Sequence, residues 1–149
     1  MSDNTGNMDR DMALSSGIAA FEAKHFVQAA ELLEPLAEEG DPEAQYRVAI
    51  MAQNGLGMVE NPLQAYKNMK AAAEQGHALA QHGLGFMYLE GECVEKSPEK
   101  AVVWFEKAAA QGLQGSMTTL AMMYQEGNGV PQDAEKAREW FRKAGFDEM

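Results

Sequence analysis

Gly55, Gly91 and Gly127 fall 36 residues apart, and so do Ala65, Ala101 and Ala137. Ala72, Ala108 and Ala144 keep the same step, as do Met51, Met87 and Met123. Many independent columns sharing one period mark an internal repeat. A unit of this length is one supersecondary element whose apolar face must be covered by its neighbour. Three units follow: 44–79, 80–115 and 116–149.

The second unit reads as a helix–loop–helix. Ala80 to Tyr88 carries small and large apolar residues on one side, and Gly91 ends the helix. The loop runs to Ser97, placed to cap a second helix that opens on Pro98. Asn61-Pro62 and Asp133 supply the same start signals in the other units. Ala101, Trp104, Phe105, Ala108 and Ala109 then recur at three- and four-residue spacing. The methionine column beside Tyr88 reads as core. Upstream, Gly17, Ala20, Phe21, Phe26, Ala29, Leu33, Leu36 and Gly40 repeat the pattern with a shorter connection. Residues 11–43 therefore read as a tetratricopeptide-like hairpin that caps the array. Residues 1–10 read as a flexible tail, and 11–149 as a single solenoid domain.

Ala80-Gln81, Leu84-Gly85, Met87-Tyr88, Gly91, Lys100-Ala101, Trp104-Phe105 and Ala108 to Gly112 closely resemble the Sel1-like repeat signature. The third unit repeats it with Met123-Tyr124, Gly127 to Val130, Lys136-Ala137 and Trp140-Phe141. The first is looser, with Ala52 at the tyrosine position and Asn68 at the tryptophan position. The resemblance implies an all-α fold: a right-handed α/α superhelical solenoid of about four helix–loop–helix repeats, eight helices in all. It also implies an adaptor or scaffold that binds another protein rather than an enzyme. Some cysteine-rich relatives are linked to β-lactam binding or hydrolysis. Those carry a cysteine pair in each repeat, whereas this chain has only Cys93. A β-lactam-active enzyme and a self-assembling structural protein remain the alternative expectations.

Composition narrows the partners. The chain has 23 acidic and 12 basic residues, a net charge of −11. Such a surface repels phosphate backbones, so nucleic acid and anionic membranes are poor partners. The first eleven residues lack the basic and apolar regions of a signal peptide. No apolar run is long enough to span a bilayer, and one cysteine cannot form an intramolecular disulfide. For a complete chain these features favour the cytoplasm. His25, His77 and His82 show no ligand spacing, and no nucleophile motif is present. The glycine pairs Gly55-Leu56-Gly57 and Gly127-Asn128-Gly129 lack the lysine and hydroxyl of a phosphate loop. No catalytic residue, metal or cofactor is expected.

The first helices of the units would line the concave face of such a superhelix. Columns outside the packing signature run Tyr46, His82, Thr118; Ile50, Phe86, Met122; and Gln53, Leu89, Gln125. They share one helix side, and form either a peptide-binding strip or, at Ile50, Phe86 and Met122, inter-repeat core. Arg47 is the only basic residue on the first helices of the three units. Recognition of an acidic tail is disfavoured, and the expected partner is a basic or apolar segment. Trp140, on the last helix, is expected to be partly exposed, so the chain is a monomer or a weak homodimer through its C-terminal end.

Overall fold

The computed structural model describes residues 2–146, with side chains from residue 9 onward. Among the described residues there are eight helices and no strand: α1 (Ser2–Glu22), α2 (Phe26–Glu38), α3 (Pro42–Asn54), α4 (Pro62–Glu74), α5 (Ala78–Glu90), α6 (Pro98–Ala110), α7 (Gln114–Glu126) and α8 (Ala134–Lys143). They fall into two compact units, 1–77 and 78–149.

The start signals act as their chemistry requires. Asn61 accepts from the amide of Gln64 at 3.0 Å, Ser97 from Lys100 at 3.3 Å and Asp133 from Glu135 and Lys136 at 3.1 Å. Asp41, followed by Pro42, caps α3 through the amide of Ala44 at 3.0 Å. The first helices thus begin two residues before the boundaries read from the sequence. α1 begins at Ser2, within the stretch read from the sequence as a tail, which holds no proline and one glycine. Residues 147–149, assigned to the third repeat, lie outside the described residues.

Within each repeat, a seven-residue loop joins the two helices and is pinned by the same two backbone bonds. The amides of Leu56, Glu92 and Asn128 return to the carbonyls of Met51, Met87 and Met123 at 2.9, 3.0 and 2.9 Å. Those of Asn61, Ser97 and Asp133 return to Ala52, Tyr88 and Tyr124 at 2.8, 2.8 and 2.9 Å. The first hairpin lacks this loop: residues 23–25 alone join α1 to α2. α8 stops three residues short of its counterparts, and Gly145, at φ +104°, follows it as Gly112, at φ +91°, follows α6.

In the first unit, Ala29, Leu33, Leu36, Ala44, Val48 and Met51 form the core, with Phe21 and Phe26 edge to face at 5.6 Å. In the second, Leu84, Met87, Phe105, Leu120 and Met123 are buried among Ala80, Ala101, Ala108 and Ala121. The methionine column is core in every repeat. Glutamines add polar ties that the sequence reading missed. Gln75 Nε2 donates to Gln45 Oε1 at 2.8 Å, and Gln111 Nε2 to Gln81 Oε1 at 2.9 Å. Gln45 and Gln81 are themselves buried, so each pairing offsets a desolvation cost of about 1–3 kcal/mol.

Cys93 sits in the loop column of Gly57 and Gly129 and keeps their left-handed backbone, with φ +66° against +69° and +78°. That region costs an L-residue about 1–2 kcal/mol. Cys93→Gly should therefore raise stability, by about 0.5–1 kcal/mol once the extra freedom of glycine in the unfolded chain is subtracted. Urea unfolding under reducing conditions measures it.

Candidate functional site

Of the nine residues read as a strip, three lie in the first unit and six in the second. In the first unit, Tyr46, Ile50 and Gln53 lie half-buried along α3. Tyr46 stacks on His77 at 4.9 Å, and the Arg47 guanidinium lies over Phe21 at 5.8 Å and over Tyr46 at 5.9 Å. Glu43 accepts from Arg47 at 2.7 Å and meets His77 Nε2 at 3.3 Å. The Arg47 hydrogen bond holds the Glu43 carboxyl below its ordinary value despite partial burial, and desolvation pushes the Tyr46 phenol up. Arg47, the one arginine or lysine on the first helices of the three repeats, is thus engaged by Glu43 of its own helix.

In the second unit, His82, Phe86 and Leu89 are half-buried on α5 and Thr118 is half-buried on α7; Met122 is 47% exposed. The structure joins His82 and Phe86 into one aromatic cluster with Phe105 behind them. Centroids lie 4.9 Å apart for His82–Phe86, 5.6 Å for His82–Phe105 and 5.0 Å for Phe86–Phe105, all edge to face. Such pairs add about 0.5–1.5 kcal/mol beyond their buried area. Gly85 makes this possible: a β-carbon there would stand 2.7 Å from the Phe105 ring. His82 Nδ1 and the buried Ser116 hydroxyl, 2.7 Å apart, tie α5 to α7. Thr118 turns its hydroxyl back to the Gln114 carbonyl at 3.1 Å. Gln125 is exposed and borders a separate cavity of about 150 Å³ with Ala134, Ala137, Arg138 and Phe141 of α8. Ile50 and Phe86 are therefore half-buried rather than full core, and Met122 is exposed. Trp140 is half-buried under the Lys143 ammonium at 4.6 Å.

Burial holds the His82 imidazole below its ordinary pKa of 6.5. Its contribution to stability is complete above that value. As pH falls below it, the unfolded chain takes up the proton first and the contribution is lost. The urea midpoint should drop between pH 7.5 and 5.5, and His82→Tyr, which installs the residue of the Tyr46 column, should shrink that drop. An unchanged pH slope in the variant would exclude His82 as the source.

Among the described residues, no cluster of His, Cys, Asp and Glu is placed to hold a metal ion, and no helix is long and apolar enough to cross a membrane. The surface offers shape, apolar contact and charge, the means of a binding surface.

Comparison with known proteins agrees with this architecture. Three Sel1 repeats match, over residues 42–77, 78–113 and 116–145. No curated protein sequence matches the chain. A Sel1 repeat protein from Oxalobacter formigenes is similar in structure, with a TM-score of 0.83 and 32% identity, over 89% of this chain and 53% of the other. So is c5321, a protective antigen present in uropathogenic Escherichia coli strains displaying an SLR fold, with a TM-score of 0.87 and 32% identity, over 99% of this chain and 32% of the other. The chain thus spans about half the length of the first and a third of the second. Helicobacter pylori cysteine rich protein B matches at a TM-score of 0.59 and 21% identity, over 88% of this chain and 87% of the other, which speaks to fold alone. The fold is an all-α solenoid of helix–loop–helix repeats, a scaffold generally used for protein–protein interaction. The chain belongs to the Sel1 repeat family.

Proposed function

We propose that the chain is an interaction module, without catalytic activity, that holds a peptide segment on the strip formed by α5 and α7. The observation that carries this reading is the wall made by His82, Phe86, Leu89 and Met122, half-exposed in front of a fully buried Phe105. A surface held by a packed second layer presents apolar side chains without having to order them on binding, which lowers the cost of association. α5 and α7 carry no lysine or arginine, and their only acidic residues, Glu90 and Glu126, stand at the two C-terminal ends. Helix dipoles add negative potential there. The complementary ligand is an apolar segment with a lysine or arginine at one end. Tyr46, Ile50 and Gln53 of α3 form a second patch of the same kind in the first unit.

Peptides selected from a random library against the protein should share that pattern. Leu89→Asp with Met122→Asp should weaken them at least tenfold while leaving the melting temperature within a few degrees. Peptides that bind the double variant as well as the parent would place recognition elsewhere.

A second reading is weak self-association through the C-terminal end, supported by Phe146, 46% exposed and edge to face with Phe141 at 6.1 Å. Molecular mass measured across a concentration series tests it, and a constant monomer mass removes it.

A further inference from the structure

One column of the second helices changes character along the chain. Trp104 in α6 and Trp140 in α8 occupy it, each beneath the ammonium of the lysine three residues on, Lys107 at 5.7 Å and Lys143 at 4.6 Å. In α4 the same two columns hold Asn68 and Ala71. At that place the first unit has a cleft of about 470 Å³ between α2 and α4. Ala37 and Glu38 border it on one side, Leu63, Lys67 and Asn68 on the other, and Gln45 lies at its floor. Small-ligand pockets typically span about 300–1,000 Å³, so an indole is within its capacity.

The cleft's chemistry fits an indole in three respects. Leu63, 76% exposed, and Ala37 supply apolar surface for the ring. Asn68 Nδ2 donates to the Gln64 carbonyl at 3.1 Å, which leaves its amide oxygen to accept from an indole N–H. Lys67 makes no ion pair among the described residues and can lie over the ring as Lys107 and Lys143 do over theirs. Charge then selects the neighbours of that indole. Glu31, Glu34 and Glu38 follow one another at helical spacing on α2. Glu34 meets Gln64, one of the lining residues, at 3.4 Å, and Glu38 borders the cleft directly. This acidic rim complements basic residues on either side of the entering ring.

We propose that the α2–α4 cleft is a docking pocket for a tryptophan side chain of a partner polypeptide, presented between basic residues. The partner supplies in trans the side chain that the other repeats carry in cis. The site is separate from the α5–α7 strip, so either can fail without the other.

The test is a titration of the full chain with acetyl-Lys-Trp-Lys-amide, followed by amide chemical shifts in NMR. Saturable shifts are expected at Ala37, Gln45, Asn68 and Ala71. Acetyl-Lys-Leu-Lys-amide should bind at least tenfold more weakly, and so should acetyl-Glu-Trp-Glu-amide. Asn68→Trp, which restores the missing ring, should abolish the shifts while melting at or above the parent temperature. Should that variant fold poorly, Ala71→Lys restores the other half of the pair and should repel the basic peptide at least tenfold. The proposal is overturned by absence of saturable shifts, by equal binding of the leucine peptide, or by unchanged affinity in the folded variants.

Discussion

Phe105→Ala should lower folding stability by about 3–5 kcal/mol, the range for deleting a buried aromatic ring that leaves a cavity. Phe105 is fully buried, and its ring is fixed by edge-to-face contacts to His82 and Phe86 and by the closeness of the Gly85 backbone. The buried alanines one turn away on the same helix, Ala101 and Ala108, are too short to collapse into the space. Phe141, its counterpart in α8, is 8% exposed beside an existing cavity, so Phe141→Ala should cost less. Urea unfolding gives both values. Gly85→Ala supplies a coupled check. An exposed helical glycine gains up to about 1 kcal/mol on replacement by alanine, but here the added carbon overlaps the Phe105 ring and should cost about 1–3 kcal/mol. In a double-mutant cycle the Gly85→Ala penalty should vanish once Phe105 is alanine. Because Phe105 backs the proposed peptide wall, Phe105→Ala should also weaken peptides held on α5 and α7. Stability and recognition meet at this one ring.

The architecture was legible because the repeat writes each packing decision several times. Column identity alone locates the loop ends, the caps at Asn61, Ser97 and Asp133, and the methionine core. Interactions between non-equivalent columns were harder to read. Gln45 and Gln75 are 30 residues apart, not 36, and only their side-chain geometry shows that one satisfies the other. The start of α1 was missed because a polar segment without amphipathic period offers no helical signal of its own. At the candidate site, the columns of Ile50, Phe86 and Met122 were identified, but their exposure was not. Whether such a face is groove or core depends on what packs behind and in front of it. Phe105 supplies the backing for Phe86, and sequence spacing does not contain that contact. Likewise, Asn68 stood out as a departure from the repeat, whereas the cleft beside it exists only because α2 lies opposite.

Gly57→Ala should destabilise the first unit by about 2–4 kcal/mol, for two separable reasons. The left-handed backbone at φ +69° costs any β-carbon about 1–2 kcal/mol. The remainder comes from steric overlap, since that carbon would stand 2.3 Å from the carbonyl carbon and oxygen of Phe26, the first residue of α2. Backbone cannot rotate aside as a side chain can. The Phe26 carbonyl also accepts a bond of the first helical turn, so relief would come by lifting the 55–61 loop from α2. Gly55→Ala separates the two causes. Gly55 has nearly the same φ, +66°, but its nearest neighbour would be 3.6 Å away, so only the backbone cost of about 1–2 kcal/mol applies. Cys93 demonstrates independently that this column tolerates a side chain in the left-handed region. What forbids one at Gly57 is therefore the docking of the loop onto α2. Gly129, whose β-carbon would stand 2.6 Å from the Pro98 carbonyl oxygen, should repeat the result in the second unit. Equal losses for Gly55→Ala and Gly57→Ala in urea unfolding would show that loop docking adds nothing. A larger loss at Gly57 would show that the seven-residue loop does more than connect two helices: in the first and third repeats it is fastened to the start of the second helix before it.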